Sequence, residues 1–229
     1  MERVVLFARV PRRGAVKTRL APPLSDDEAL ALHEAMLADQ IAFVSSFAGP
    51  GRTAEICLDA TWPEDRPRPD GLEKLPHTLQ GEGSLGARLE RTLARGHAAG
   101  TRRIAIVGAD APTLPARIVD EAFRRLADGA DAVVSPARDG GYVLVATAGR
   151  CPALFHDVPW GTERVLEVTR RRARDAGLDL RETEGWFDVD RVEDFAPLLD
   201  GTESERRRAP KTAALAPTLR LYLPERPVL

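Results

Sequence analysis

Short apolar runs alternate with segments of helical periodicity along most of this chain, and this alternation restricts its fold more than any other feature. After Arg103, residues 104–107 form a continuous apolar run, which is typical of a central parallel strand buried on both faces. Strands that alternate with helices predict an α/β fold with three layers and a mostly parallel sheet. The predicted strands cover residues 4–10, 54–58, 103–107, 132–135 and 178–180, and the predicted helices cover residues 25–44, 84–99, 115–126, 162–176 and 192–199.

Local signals refine the ends of these elements. Ser25 and Glu28 form a capping box for the first helix, and Ser84 and Thr162 are expected to cap two later helices. The proline-rich and charged residues 59–77 predict a loop or a poorly regular edge of the sheet. We predict one domain over residues 1–200 and a C-terminal tail over residues 201–229, in which residues 219–223 are either an edge strand or disordered.

Composition excludes several classes of protein. The chain carries 33 lysines and arginines against 35 aspartates and glutamates, whereas a nucleic-acid-binding domain is normally basic overall. Cys57 and Cys151 lie far apart without other soft ligands nearby, which argues against a zinc site and favours a cytoplasmic compartment with reduced thiols. No apolar stretch approaches the ~18 residues that a transmembrane helix needs, so we expect no membrane partner.

A strongly basic loop follows the first predicted strand. Its candidate phosphate-binding residues are Arg12, Arg13, Gly14, Lys17, Thr18 and Arg19. Crowded cations repel one another, and ligands of open α/β sheets bind beyond the carboxyl ends of the strands, so the loop predicts a phosphate site. A solvated basic turn is the alternative. The segment is not a P-loop, because Pro11 and Val16 stand where that motif requires glycine.

Three aspartates are candidate metal ligands. Asp110 follows the central strand, and Asp188 and Asp190 alternate along a predicted strand, so that both point to the same side. Mg²⁺ typically takes one or two carboxylates together with substrate phosphate oxygens. We therefore predict Mg²⁺ (or Mn²⁺) as the cofactor. The alternative role for Asp110 is to cap the helix that follows.

Four glycines are candidates for a close backbone approach to a ligand. Gly81 and Gly86 lie at the start of the helix over residues 84–99, and Gly140 and Gly141 follow Asp139 in a tight turn between two strands. The turn is either a plain hairpin or, with its neighbours Arg138 and Tyr142, the wall of an acceptor pocket.

Six motifs, taken together and in order, resemble one known family. They are residues 7–22, Gln80-Gly81 with Leu85-Gly86, residues 108–112, residues 136–142, residues 159–162, and Asp188-Val189-Asp190 with Glu193-Asp194. They are similar to a GT-A-type transferase family that was formerly a domain of unknown function. Its members are also labelled radical-SAM/selenodomain-associated transferase or "glycosyltransferase A family", and it is related in fold to molybdopterin and phospholactate nucleotidylyltransferases.

The resemblance implies a Rossmann-like GT-A fold, the fold of nucleotide-diphosphosugar transferases. It also implies that Asp110 and Asp190 bind Mg²⁺, with Asp188 in reserve, and that the basic loop holds a diphosphate or triphosphate. The candidate catalytic residues are then Lys17, Asp110 and Asp139, with Asp139 as a base or a sugar-binding acid.

The chain departs from that family pattern at two places. Val10-Pro11 replaces the two glycines of the molybdopterin-type loop, and Ala111-Pro112-Thr113 stands where the family often has Cys-Pro-Asp. The second departure removes one possible acidic ligand.

Three functions follow from this sequence. The first is Mg-dependent nucleotidyl transfer from a nucleoside triphosphate to a small-molecule acceptor. The second is glycosyl transfer from a nucleotide-sugar, and the third is a non-catalytic nucleotide-binding module. All three predict a nucleotide as partner, and none predicts an oligomeric state.

Overall fold

Seven strands form one sheet in the computed structural model, which describes residues 1–223. The strands are β1 (Glu2–Ala8), β2 (Arg52–Leu58), β3 (His77–Leu79), β4 (Arg103–Gly108), β5 (Ala132–Pro136), β6 (Tyr142–Thr147) and β7 (Leu180–Glu182). Their order across the sheet is β3-β2-β1-β4-β6-β5-β7. Among these strands, β6 alone runs antiparallel to its neighbours, so the predicted mostly parallel sheet is confirmed.

Within residues 1–223, four long α-helices and four short ones accompany the sheet. They are α1 (Asp26–Ser45), α2 (Leu85–Ala98), α3 (Ala116–Ala127), α4 (Val165–Asp175), α5 (Phe195–Leu199), α6 (Glu203–Arg208), α7 (Pro210–Ala213) and α8 (Ala216–Arg220). The predicted capping box is confirmed, since Ser25 Oγ accepts the Glu28 N–H and Glu28 accepts the Ser25 N–H. No helix within residues 1–223 is long and apolar enough to cross a membrane.

The alternation of side chains along β1 divides the core between two faces of the sheet. Val4 and Leu6 pack with Leu37 of α1 on one face, where α3 also contributes. Val5 packs on the other face with Leu89 of α2 and with residues of α4. Helices therefore cover both faces, and the predicted three layers are confirmed.

A third apolar cluster lies at one edge of this arrangement. It joins Leu20, from the basic loop after β1, to Val189 and Phe195, which follow β7, and to Leu219 of α8. Each of these side chains is at most 2% exposed. The cluster therefore packs the basic loop against the segment that carries Asp188 and Asp190.

Two predictions about local structure were wrong. Residues 186–190 are irregular apart from a single bridge between Ala137 and Trp186, because the segment leaves the sheet to pack in the third apolar cluster. Thr162 does not cap α4, which begins at Val165, since its hydroxyl closes a turn by donating to the Pro159 carbonyl. The prediction of a loop or a poorly regular edge over residues 59–77 agrees with the structure, where the loop contains a short 3₁₀ turn at Leu72–Lys74 and leads into the edge strand β3.

The C-terminal segment also differs from the prediction. Residues 219–223 do not form an edge strand, because Leu219 lies in α8 and is buried in the third apolar cluster. Upstream, the buried carboxylate of Asp39 on α1 accepts the N–H groups of Lys211 and Thr212 at 3.1 and 2.8 Å. The last six residues of the predicted tail, 224–229, lie outside the described residues.

Candidate active site

The sheet topology brings three chain segments to one edge. β1 and β4 are parallel neighbours, so the residues after Ala8 and after Gly108 emerge side by side. β6 runs in the opposite direction next to β4, so its first residue, Tyr142, begins at the same edge. A cleft of about 700 Å³ opens there. Its polar lining residues are Arg9, Lys17, Thr18, Arg19, His33, Gln80, Arg88, Asp110, Asp139, Tyr142, Trp160, Thr162, Asp188 and Asp190.

Lys17 lies at the centre of the charged part of this cleft. Its backbone is left-handed (φ +51°), immediately before a 3₁₀ turn over Thr18–Leu20. The side chain is only 3% exposed. Its ammonium group forms an ion pair with Asp110, lies 3.1 Å from Asp190 Oδ1, and donates to the Val189 carbonyl at 2.7 Å.

The two carboxylates keep this buried ammonium charged. Burial on its own lowers the pKa of Lys17, but attraction to Asp110 and Asp190 outweighs it, so that the pKa is raised above the usual value. Burial would likewise raise the pKa of Asp110, yet Lys17 holds the pKa of that carboxyl below its usual range. Both groups are therefore ionised at neutral pH.

Asp190 uses both of its carboxylate oxygens. Oδ1 faces Lys17, and Oδ2 lies 3.4 Å from Nη1 of Arg19. Arg19 is itself fixed by a second hydrogen bond, from Nη2 to the Gly161 carbonyl at 3.2 Å. The backbone N–H of Asp190 donates to Asp194 at 2.9 Å. Both carboxylate oxygens and the backbone N–H of Asp190 thus have partners within the protein.

Asp188 and Asp139 have the opposite environment. Burial raises the pKa of Asp188 to about 7, and the nearby carboxylates of Asp139 and Asp190 act on it in the same direction. Asp139 accepts the Gly141 N–H at 2.9 Å. Within residues 1–223, neither Asp188 nor Asp139 forms an ion pair. This side of the cleft therefore holds two carboxyl groups that no cation of the described protein pairs with.

These environments decide which aspartates suit a divalent metal. The pair implied by the family resemblance, Asp110 and Asp190, already contacts Lys17. Within residues 1–223, the aspartates of the cleft that form no ion pair are Asp188 and Asp139, and carboxylate oxygens are the ligands that Mg²⁺ and Mn²⁺ prefer. Among the described residues, no group of three or more His, Cys, Asp or Glu side chains is arranged to hold a metal. The donor set fits a metal that shares its coordination with a bound substrate.

The structure separates the residues of the predicted basic loop. Lys17, Thr18 and Arg19 line the cleft. Arg13 instead lies on the surface, paired with Asp27 at 2.7 Å and with Asp26 at 3.4 Å. Arg12 and Gly14 are also outside the cleft, with Arg12 turned towards Asp59 at 3.9 Å and Gly14 packed near Asp26.

The candidate glycines are separated in the same way. Gly141 lines the cleft. Gly86 packs beneath the indole of Trp160, Gly140 packs against the backbone of Glu163, and Gly81 lies beside the guanidinium of Arg91. A side chain at these three positions would collide with other protein atoms, so their small size serves packing within the protein.

Two arginines of the cleft were missed by sequence reasoning. Arg9 and Arg88 line it, and neither forms an ion pair within the part of the chain that is described. Arg88 Nε donates to the Gly83 carbonyl at 2.9 Å, which points the group along the first turn of α2. Each had a sequence signal: Arg9 comes at the end of the first predicted strand, and Arg88 lies one turn after the helix cap Ser84.

The opposite wall of the cleft is apolar and aromatic. The rings of Tyr142 and Trp160 meet edge to face, with their centroids 6.1 Å apart. Leu85, at the start of α2, is 42% exposed and lines the same cleft. The cleft therefore offers a charged half that suits phosphates and carboxylate-bound cations, and a half that suits the carbon skeleton of a ligand.

Comparison with known sequences identifies the family. The sequence profile of a family described as uncharacterized proteins conserved in bacteria, DUF2064, matches residues 46–162. The chain belongs to this family. The matched segment of the DUF2064 protein includes Asp110, the turn with Asp139, and Trp160. The family resemblance predicted from the motifs is thereby confirmed. A comparison with proteins of curated function finds no match.

Solved structures share the fold. The chain is similar to a protein from Desulfovibrio desulfuricans G20 that is named as a nucleotide-diphospho-sugar transferase, with 25% identity, a TM-score of 0.84, and coverage of 98% of this chain and 99% of that one. It is also similar to CMP:2-keto-3-deoxy-manno-octonic acid synthetase complexed with CTP (10% identity, TM-score 0.52, coverage 86% and 97%). A third is glucosyl-3-phosphoglycerate synthase from Mycobacterium tuberculosis with Mn²⁺, UDP-glucose and phosphoglyceric acid (13% identity, TM-score 0.52, coverage 98% and 81%). The predicted GT-A fold is confirmed.

Proposed function

We propose that this protein is a transferase that binds a nucleotide donor in the cleft and passes part of it to a small acceptor. The observation that carries this proposal is the arrangement of charge at one edge of a GT-A sheet. Arg9 and Arg88, which form no ion pair within residues 1–223, line the same cleft as the carboxylates of Asp110 and Asp188, at the ends of β1 and β4. This is where open α/β sheets bind ligands.

The arginines suit the phosphates of the donor. A guanidinium forms charge-assisted, often bidentate hydrogen bonds with phosphate oxygens, and Arg9 and Arg88 do not have to leave a carboxylate to do so. Fixed cations of this kind stabilise the charge that develops on a leaving phosphate. The aromatic wall of Tyr142 and Trp160 would hold the acceptor or the sugar.

A divalent metal would bind on the other side of the phosphates. Asp188 and the second oxygen of Asp110 would hold Mg²⁺ or Mn²⁺, and the metal, when bound, would neutralise charge on the leaving diphosphate. The M. tuberculosis structure of the same fold contains Mn²⁺ together with UDP-glucose, which supports this assignment.

Nucleotidyl transfer from a nucleoside triphosphate is the first candidate reaction. An acceptor oxygen would attack the α-phosphorus, and the bond from that phosphorus to the bridging oxygen would break, releasing pyrophosphate. Where the acceptor is a hydroxyl group, its proton would pass to the carboxylate of Asp139. The likeness in fold to a synthetase complexed with CTP supports this reaction.

Glycosyl transfer from a nucleotide-sugar is the second candidate. The observation that favours it is the neutralisation of the predicted triphosphate site, because Arg13 pairs with Asp27 and Lys17 pairs with Asp110 and Asp190. The remaining positive charge suits a diphosphate. The 25% identical protein named as a nucleotide-diphospho-sugar transferase supports the same reaction.

A thermal-shift screen of nucleoside triphosphates and nucleotide-sugars, each with and without Mg²⁺, tests the proposal. A ligand at ~100 times its Kd adds about 2.7 kcal/mol to the free energy of unfolding. We expect at least one nucleotide to raise the melting temperature. No shift across the whole panel would contradict the proposal.

The products of the reaction then separate the candidates. Nucleotidyl transfer releases pyrophosphate, whereas glycosyl transfer releases a nucleoside diphosphate. Nucleotide binding that survives Asp110→Ala, without turnover of any acceptor, would instead identify a non-catalytic nucleotide-binding module.

A further inference from the structure

The Lys17 ammonium has the surroundings of a bound metal ion. It lies between two carboxylates, those of Asp110 and Asp190, and a third oxygen ligand, the carbonyl of Val189, lies 2.7 Å away. An ammonium group has three protons to donate, and three acceptors surround this one. Lys17 therefore has no proton left for a phosphate unless it first leaves one of these oxygens.

The choice of residue type points in the same direction. Lys17, Lys74 and Lys211 are the only lysines among 33 basic residues, and all the others are arginines. Lysine carries a compact point charge, whereas the planar guanidinium of arginine needs a matching flat fork of acceptors. Two carboxylates and a carbonyl can surround the compact ammonium of a lysine in the same way that they surround a metal ion.

The surrounding backbone holds these oxygens together. The Val189 N–H donates to the Asp110 carbonyl at 2.8 Å, which ties the segment after β7 to the end of β4. Leu20 and Val189 pack together in the third apolar cluster, so the loop with Lys17 is fixed to the segment with Asp190. Two carboxylates that the fold places this close repel each other unless a cation lies between them.

We propose that the Lys17 ammonium permanently occupies the position of a divalent cation between Asp110 and Asp190, so that a metal entering the cleft binds on the Asp188 side. Asp190 is then a positioning residue that acts through Lys17 and Arg19. This inference deepens the proposed function by assigning the metal-binding role within the same cleft. Its test needs neither nucleotide nor turnover, so its failure is distinct from a failure of the transferase assignment.

The first experiment measures Mn²⁺ binding to the nucleotide-free protein by electron paramagnetic resonance. With Lys17 present, we expect the single substitution Asp190→Asn to change the Mn²⁺ affinity less than twofold relative to the wild type. Lys17→Met empties the position between the carboxylates, and it should bind Mn²⁺ at least tenfold more tightly or bind an additional equivalent. That gain should disappear in the Lys17→Met/Asp190→Asn double variant. Lys211→Met, which removes a partly exposed lysine of α7, is the matched control and should bind Mn²⁺ as the wild type does.

Two outcomes would overturn the proposal. One is a tenfold or larger loss of wild-type Mn²⁺ affinity in Asp190→Asn, because Asp190 would then be a metal ligand. The other is a folded Lys17→Met variant, as judged by circular dichroism, that binds no more Mn²⁺ than the wild type. If neither the wild type nor the folded Lys17→Met variant binds Mn²⁺, the proposal is overturned in the same way.

A second measurement uses the wild type, in case Lys17→Met does not fold. Nitrogen-15 NMR of the lysine ammonium groups should show one slowly exchanging signal, because Lys17 is buried and hydrogen-bonded whereas the side chain of Lys211 is 51% exposed. We expect this signal to keep its chemical shift when Mg²⁺ is added. Loss of the signal, or its conversion to that of an exposed lysine at saturating Mg²⁺, would show that the metal displaces Lys17 and would overturn the proposal.

Discussion

Asp188 and Asp190 are two positions apart in the chain, yet their electrostatic environments are opposite. Asp190 faces Lys17 and Arg19, whereas Asp188 faces carboxylates, which together with burial bring its pKa to about 7. Alternation along a strand predicted the same role for both. The difference arises from Lys17, which is 173 positions away from Asp190, and spacing within a motif does not reveal a partner at that distance.

Gly140 supports the turn of Asp139 without lining the cleft. Its φ of +86° is left-handed, and a Cβ at this position would collide with the backbone of Glu163. We expect Gly140→Ala to lower the free energy of unfolding by about 2–5 kcal/mol, because a left-handed non-glycine residue costs ~1–2 kcal/mol and overpacking against backbone adds ~1–3 kcal/mol. Urea denaturation measures this change.

Gly129→Ala is the matched control for that substitution. Gly129 has a similar φ of +97°, but no atom lies within 4 Å of the position that the alanine methyl group would take. Gly129→Ala should therefore lower the free energy of unfolding only by the ~1–2 kcal/mol that the left-handed backbone costs. Equal losses in the two variants would show that contact between Gly140 and Glu163 does not constrain the turn.

At the scale of elements, α7 is docked on α1 by a single buried acid. The carboxylate of Asp39, which is 3% exposed, accepts the N–H groups of Lys211 and Thr212 and the hydroxyl of Thr212 at 2.7 Å. We expect Asp39→Ala to lower the free energy of unfolding by about 1–3 kcal/mol, because it leaves buried donors without an acceptor. Urea denaturation measures the loss, and faster tryptic cleavage within residues 206–211 would locate it.

Asp70→Ala provides the comparison for Asp39→Ala. Asp70 pairs with the ammonium of Lys211 at 3.3 Å, but its side chain is 94% exposed. Solvent screens such a pair, so the stability and the cleavage rate should stay at wild-type values. Wild-type behaviour of Asp39→Ala as well would contradict the proposed docking of α7.

Most elements were predictable because their signals are local. Ser25 and Ser84 cap helices where the sequence places them, and the apolar run of β4 identifies a central strand. The segment over residues 186–190 was not predictable, since its alternating pattern serves the third apolar cluster rather than a sheet. The role of Arg13 was also hidden, because its partners Asp26 and Asp27 are 13 and 14 positions away and no local motif joins them to it.

At the scale of the whole molecule, the topology explains why the cleft is where it is. β6 enters the sheet in reverse between β4 and β5, so the turn with Asp139 and the residues after β1 and β4 meet at one edge. The sequence predicted from strand ends that the basic loop and Asp110 meet at one edge, but it left open whether the turn with Asp139 is a plain hairpin or part of the pocket. It did not show which cations would remain unpaired after folding, because that depends on contacts between distant segments.

We expect a nucleotide to bind in this cleft through Arg9 and Arg88, the two lining arginines that form no ion pair within residues 1–223. The most direct test is isothermal titration calorimetry of CTP and UDP-glucose with the wild type, Arg88→Gln and the control Arg171→Gln, which removes an exposed arginine of α4. A charge-assisted hydrogen bond to phosphate contributes ~1.5–3 kcal/mol, so we predict that Arg88→Gln weakens binding by about tenfold or more and that Arg171→Gln binds as the wild type does. Equal affinities in all three proteins, or no binding of either nucleotide to the wild type, would contradict the account.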